Sequence, residues 1–125
     1  MLPVFVYGTL RAGSWNHDDW LAPWLASPTE PATLADHALH HHDGLPYITP
    51  SPGHAAKGEL ARLDPARYAA ALAKLDELED IANRHYDRAE VEIAGERAYV
   101  YVAGPRIAAA LTDDTRVDHG DFLRL

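Results

Sequence analysis

The apolar positions of this chain fall into several short runs and one helical stripe. Leu2 to Tyr7 is rich in β-branched and aromatic residues and stops at Gly8, which predicts a strand entering a turn. Trp15 to Leu25 mixes three tryptophans with aliphatics and predicts a short helix or an irregular packed segment, limited by Pro23 and Pro28. Thr33 to His40 predicts a second strand. Asp43 to Gly53 carries Gly44, Pro46, Pro50, Pro52 and Gly53, and predicts a loop with at most a short extended piece at Tyr47-Ile48-Thr49. Lys57 to Leu63 returns to a strand pattern.

The clearest helix begins at Asp64-Pro65. Asp64 can cap the free N–H groups, and proline at the first helical position has no N–H to leave unpaired. Ala-rich sequence carries the helix to about Ile81. Tyr86 to Ile93 and Arg97 to Val102 predict two more strands, joined at Gly95 as a hairpin. Ile107 to Leu125 predicts a short helical piece followed by weak signals. No internal repeat or low-complexity segment is present. Many strands and one good helix predict an α+β fold over residues 1–125 as one domain, closed most simply as a small barrel-like sheet with the helix packed on it.

One residue breaks the helix's pattern. With Tyr68 at zero and about 100° per residue, Leu72 falls near ~40°, Leu75 near ~340° and Glu79 near ~20°. Glu79 therefore lies within the apolar stripe, with Asp76 at its edge. Glu77 at ~180° and Asp80 at ~120° point toward water. A carboxylate on a buried face is costly without partners, and burial raises its pKa toward neutrality. That is the tuning a general acid/base needs. A helix that frays before Glu79, or pairing with Arg88 or Arg62, accounts for the same spacing.

Composition narrows the classes. The formal net charge of -8 disfavours phosphate backbones and anionic lipid, so neither nucleic-acid nor membrane partners are expected. The absence of cysteine removes disulfides, thiolate catalysis and cysteine-held zinc, and is compatible with a reducing cytoplasm. The N-terminus has no basic stretch ahead of its short apolar run, so no signal peptide or membrane span is expected.

Other candidates are weaker. Tyr7-Gly8-Thr9-Leu10-Arg11 is a strand running into a turn whose N–H groups can converge on an anion or carbonyl oxygen; an ordinary turn explains it as well. It lacks the Gly-Lys-Ser/Thr ending of a phosphate loop. His37, His40, His41 and His42 suggest a metal, but in a strand His40 and His42 share a face that His41 opposes, with no evident third ligand. No metal is expected there. Ser14, Ser27 and Ser51 lack a nucleophile-elbow context. Tyr99 and Tyr101 share one face of the last strand as core residues, and Tyr86 follows the helix within plausible reach of Glu79.

Taken in order, several motifs resemble the γ-glutamylcyclotransferase-like, or AIG2-like, proteins. VFVYGTLRAG, with Asn16-His17 soon after, is similar to that family's opening signature. DGLPYITPSPGHAAKGELARLDP, Asp43 to Pro65, resembles its Gly-x-Pro loop and Gly-Glu-Leu strand. LDELED, Leu75 to Asp80, then Tyr86-x-Arg88 and AYVYV complete the match, over roughly residues 3–103. The resemblance implies a small mixed β-barrel with flanking helices. It also implies a small-molecule γ-glutamyl substrate, cyclised to 5-oxoproline with release of a free amine and with no cofactor. It maps the acid/base onto Glu79 and the substrate loop onto Tyr7, Gly8, Thr9 and Leu10. A mechanism built on this places the loop amides, or Tyr86, beside the developing charge. One departure is Asp80, where the family usually has glycine. A non-catalytic binding domain, or another amide-cleaving reaction, uses the same carboxylate. The leaving amine is expected to meet Trp15, Trp20, the Asp43 to Gly53 segment and the C-terminal tail. No motif specifies that amine or the oligomeric state.

Overall fold

The computed structural model describes residues 1–125. Its strands are β1 (Val4–Val6), β2 (Glu30–His42), β3 (Leu45–Ala61), β4 (Tyr86–Ile93) and β5 (Glu96–Ala103). Its helices are α1 (Tyr68–Leu78) and α2 (Pro105–Ala110), with shorter helical turns between. The strands form one sheet in the order β2-β3-β1-β5-β4. Every pairing is antiparallel except β1 with β5. This is the α+β class with the mixed sheet expected. The sheet is barrel-like rather than closed: β2 and β4 are its edges and do not pair. They approach through side chains, since Leu34 and Leu39 of β2 share a core cluster with Ile93 of β4.

β1 is central in the sheet, and both its faces are buried. Val4 and Val6 face α1, packing with Ala71 and Leu75. Phe5 and Tyr7 face the inside of the curved sheet, with Ile48, Leu60 and Val100. Leu75 is fully buried, so the predicted helical stripe is the face that meets the sheet.

The expectation of a loop at Asp43 to Gly53 is corrected by the structure. Asp43 (φ 50) and Gly44 (φ 77) form a two-residue turn with both residues left-handed, and β3 starts at once beyond it. Such a turn matches the twist of a hairpin. Pro46 pairs with His41, and Pro50 with His37. Four residues apart on a strand, the two prolines lack their N–H on the same edge. β2 occupies the other edge, and β1 pairs only from Glu59 onward, so no ladder bond is lost. The hairpin is irregular at Asp36 (φ 58) and Gly53 (φ 84), where the Asp36 carboxylate accepts from the Gly53 N–H at 3.0 Å. Beyond β2, the outer edge is covered by the C-terminal segment: the His41 N–H donates to the Thr115 carbonyl and the Val117 N–H to the Leu39 carbonyl.

Asp64 caps the helical region as expected, accepting from the Ala66 N–H at 3.0 Å. α1 ends at Leu78, before the expected Ile81. The Glu79 N–H still donates to the Leu75 carbonyl at 2.9 Å, and Asp80 then turns left-handed at φ 51. Glycine is the usual residue for that conformation, and aspartate is among the few others that tolerate it. Trp15 to Leu25 contains a π-helical turn at His17–Leu21 and a 3-10 turn at Ala22–Trp24. No helix is long and apolar enough to cross a membrane.

Candidate active site

The end of β1, the end of α1, the β2–β3 hairpin tip and the start of β4 meet around a cavity of ≈ 150 Å³. β1 and its turn supply Tyr7, Gly8, Thr9 and Leu10. The hairpin tip supplies Leu45 and Pro46, α1 supplies Leu78 and Glu79, and β4 supplies Tyr86 with His85 before it. All six site residues read from the sequence lie on this one cavity.

Glu79 is partly buried while Glu77 and Asp80 are exposed, as the helical stripe requires. The cations that would neutralise it are engaged elsewhere. Arg88 holds Asp76 at 2.6 Å, and Arg62 holds Glu30 and Glu96, each at 2.8 Å. Burial alone pushes the Glu79 carboxyl up from 4.5 to about 7. An acid with that value exchanges a proton readily near neutral pH.

Three phenols surround it. Tyr7 Oη donates to the Tyr101 carbonyl, Tyr86 Oη to the Pro46 carbonyl at 2.6 Å, and Tyr101 Oη to the Asp76 carboxylate at 2.7 Å. Burial raises all three above the usual tyrosine value, and the Glu79 charge adds to the effect. The Tyr86 proton is thus held by the Pro46 carbonyl and not directed at the carboxylate. The Tyr86 ring stacks on Tyr47 at 4.9 Å, and the Tyr47 hydroxyl meets His85 Nε2 at 2.8 Å.

The turn after β1 is fixed by the side chains around it. The N–H groups of Gly8, Thr9 and Leu10 have no acceptor in the protein. Asn16 holds Thr9 twice, N–H to carbonyl and Nδ2 to Oγ1, each at 3.0 Å, and His17 Nδ1 meets the Leu10 carbonyl at 2.8 Å. Arg11 donates to Glu59 at 2.7 Å and to Asp121 at 2.8 Å. Glu59, only 7% exposed, also accepts from the Ala12 N–H at 2.9 Å and from Thr29 Oγ1 at 3.1 Å. Gly8 has no room for a side chain: a Cβ there would lie 2.2 Å from Pro46 Cγ.

Asn16, His85, Leu78 and Tyr101 line the cavity without having been read as site residues, while Leu45 and Pro46 belong to the Asp43 to Gly53 segment that was. Asn16 sits in a recognisable motif. His85 carries no signal beyond adjacency to Tyr86. Trp15 and Trp20 do not reach the cavity; Trp15 is 65% exposed and leans on Phe122. The C-terminal tail acts only through Asp121. The histidines disperse: His40 Nδ1 meets Thr115 Oγ1 at 2.8 Å, His42 packs on Tyr47, and His37 Nδ1 meets the Ala35 carbonyl at 2.9 Å.

Comparison with known proteins gives one family. The family model described as gamma-glutamyl cyclotransferase, AIG2-like, matches residues 4–124. No curated protein matches the sequence. Among solved structures, an uncharacterized protein from Pyrococcus horikoshii has a TM-score of 0.74 at 23% identity, covering 99% of this chain and 92% of the other. The Escherichia coli protein YtfP has a TM-score of 0.67 at 22% identity, covering 98% of this chain and 96% of the other. A gamma-glutamyl cyclotransferase structure has a TM-score of 0.64 at 19% identity, covering 82% of this chain and 66% of the other. At these identities the likeness is one of fold.

Proposed function

Since this chain belongs to the gamma-glutamyl cyclotransferase, AIG2-like family, we propose that it converts a γ-glutamyl amide to 5-oxoproline and a free amine, with Glu79 as the proton carrier. The observation that carries this reading is the Glu79 carboxyl, buried without a cation, pushed up to about 7 and facing the cavity. The substrate's α-carboxylate docks on the free N–H groups of Gly8, Thr9 and Leu10. Glu79 takes a proton from the α-amine, whose nitrogen bonds to the γ-carbonyl carbon and closes a five-membered ring. Glu79 returns a proton to the amide nitrogen, and the old C–N bond breaks. Because the attack is intramolecular, the cavity's task is to hold the substrate folded into its attack geometry.

The cavity wall also bears on the leaving amine. It contains no lysine or arginine. The nearby cations Arg11, Arg84 and Arg88 are each paired with a carboxylate. The leaving side is bounded by Leu45, Pro46, Leu78 and His85. This favours a leaving amine without a carboxylate of its own over a γ-glutamyl amino acid or peptide.

The test is a mass-spectrometric screen of γ-glutamyl compounds for 5-oxoproline release, with Glu79→Gln as the control. Release by the wild type and loss in the variant are expected. Binding without product would make the protein a γ-glutamyl binder, and free glutamate in place of 5-oxoproline would indicate hydrolysis.

A further inference from the structure

Of the four residues that bound the leaving side of the cavity, Leu45, Pro46, Leu78 and His85, only His85 has a polar side chain. Its ring lies edge-on to Tyr86 at 5.1 Å and tilted against Tyr47 at 5.6 Å. Its Nε2 meets the Tyr47 hydroxyl at 2.8 Å. Nδ1 has no partner in the protein. Every buried side-chain nitrogen and oxygen does have one, so Nδ1 is accessible. His85 thus turns one ring nitrogen to the core and leaves the other open.

The direction of the inner bond decides what the open nitrogen can do. A tyrosine hydroxyl has one proton to donate. Tyr86 gives its proton to the Pro46 carbonyl at 2.6 Å. Tyr47 is hydrogen-bonded to Tyr86 as well, so the proton in that contact is the one on Tyr47. The Tyr47 oxygen is then an acceptor toward His85, and Nε2 carries the proton between them. A neutral imidazole protonated at Nε2 is bare at Nδ1, which can only accept.

We propose that His85 is a specificity-determining residue whose Nδ1 accepts a hydrogen bond from a hydroxyl or N–H group carried by the leaving amine. Tyr47 is the positioning residue that fixes its tautomer. This rests on the γ-glutamyl reading and names the feature of the leaving amine that the cavity selects. A plain alkylamine covers Nδ1 without giving it a partner, which costs the hydrogen bond that water had made there. An amine that offers only an ether oxygen sets two acceptors against each other. Neither penalty applies to an amine with a donor within reach.

The test uses three matched probes: the γ-glutamyl amides of 2-hydroxyethylamine, propylamine and 2-methoxyethylamine, each also made one methylene longer. Binding is measured in the Glu79→Gln background, which removes the proton carrier, with His85→Leu, His85→Gln and Tyr47→Phe each added separately. A net hydrogen bond of about 0.5–1.5 kcal/mol is roughly 2- to 12-fold in affinity. At one chain length or both, the hydroxyl probe should bind more tightly than its alkyl and methoxy partners by a factor in that range. His85→Leu should bring the three to parity. His85→Gln, whose amide oxygen can still accept, should keep part of the preference. Tyr47→Phe frees Nε2 and lets the ring present either tautomer, so the gap between hydroxyl and methoxy probes should narrow. Equal binding at both lengths, tighter binding of the methoxy probe, or a preference that survives in His85→Leu would overturn the proposal. Wild-type release of 5-oxoproline from the same amides is scored in parallel. No release, with a preference that depends on His85, removes the cyclotransferase reading and leaves the His85 site standing. Release with no preference does the reverse, and failure of every amide to bind overturns both.

Discussion

Asp76 and Glu79 lie three positions apart at the end of the same helix, yet Asp76 is held by Arg88 and Tyr101 while Glu79 has no cation at all. The difference separates structure from chemistry within one short motif. Asp76 is a fixed charge that ties α1 to β4 and β5. Glu79, deprived of those partners, is left to respond to whatever enters the cavity.

Asp76→Asn should therefore weaken the fold without retuning the site. It removes the carboxylate from a partly buried ion pair and leaves the charged Arg88 without its counter-ion. A loss of about 1–3 kcal/mol is expected in urea unfolding. The pH midpoint of kcat/KM should stay near that of the wild type, because Glu79 owes its value to burial and not to Asp76.

Arg11 and Glu59 make a second, coupled prediction. Glu59 is buried and accepts three hydrogen bonds, from Arg11, Ala12 and Thr29. Arg11→Met leaves that carboxylate short of its cation, at an expected cost of about 3–5 kcal/mol. Substituting both residues by methionine removes the Glu59 charge and leaves only Asp121 without Arg11. The double variant should lose less than the sum of the single variants in the same unfolding assay. Strict additivity would show that the pair does not act as a unit.

Gly8→Ala tests how tightly the turn is built against the hairpin. The new methyl must displace the Pro46 ring, and the Pro46 carbonyl is the acceptor for Tyr86. A destabilisation of about 1–3 kcal/mol is expected from overpacking. A fall in kcat/KM should accompany it, because the displacement passes directly into the cavity wall.

Local patterns made much of this legible. The helical stripe singled out Glu79 before any motif was considered, and the wheel correctly separated it from Glu77 and Asp80. The motif resemblance supplied Tyr7 to Leu10 and Tyr86, all of which the fold brings to one cavity. The second half of β3 was legible from Lys57 onward, but its first half was hidden because proline counts against a strand unless its missing N–H faces an unpaired edge, and that depends on neighbours a sequence does not display. Asp43-Gly44 was the available signal for the hairpin. His85, and the Arg11–Glu59–Asp121 network, were unreadable for a related reason: their partners lie far away in sequence. Asp80 is an intermediate case. The motif pointed to a glycine-like position, and only the backbone explains why, with a left-handed φ of 51 at the end of α1.

The last prediction turns on the sign of the Glu79 shift. In the fold Glu79 keeps its proton to about 7, against an ordinary 4.5. Between those values the folded chain binds more protons than the unfolded one, so this residue's contribution to stability falls as pH rises through that window. The difference corresponds to at most about 3 kcal/mol, fully lost only above the higher value. Glutamine is neutral throughout and loses nothing. Glu79→Gln should accordingly match the wild type in urea unfolding near pH 4.5 and exceed it by about 2–3 kcal/mol at pH 8. Wild-type kcat/KM should rise in the opposite sense, through a midpoint near about 7, as Glu79 becomes available as a base. A stability gap that does not change with pH would mean that Glu79 is not held protonated by burial, and the physical basis of its proposed role would be lost.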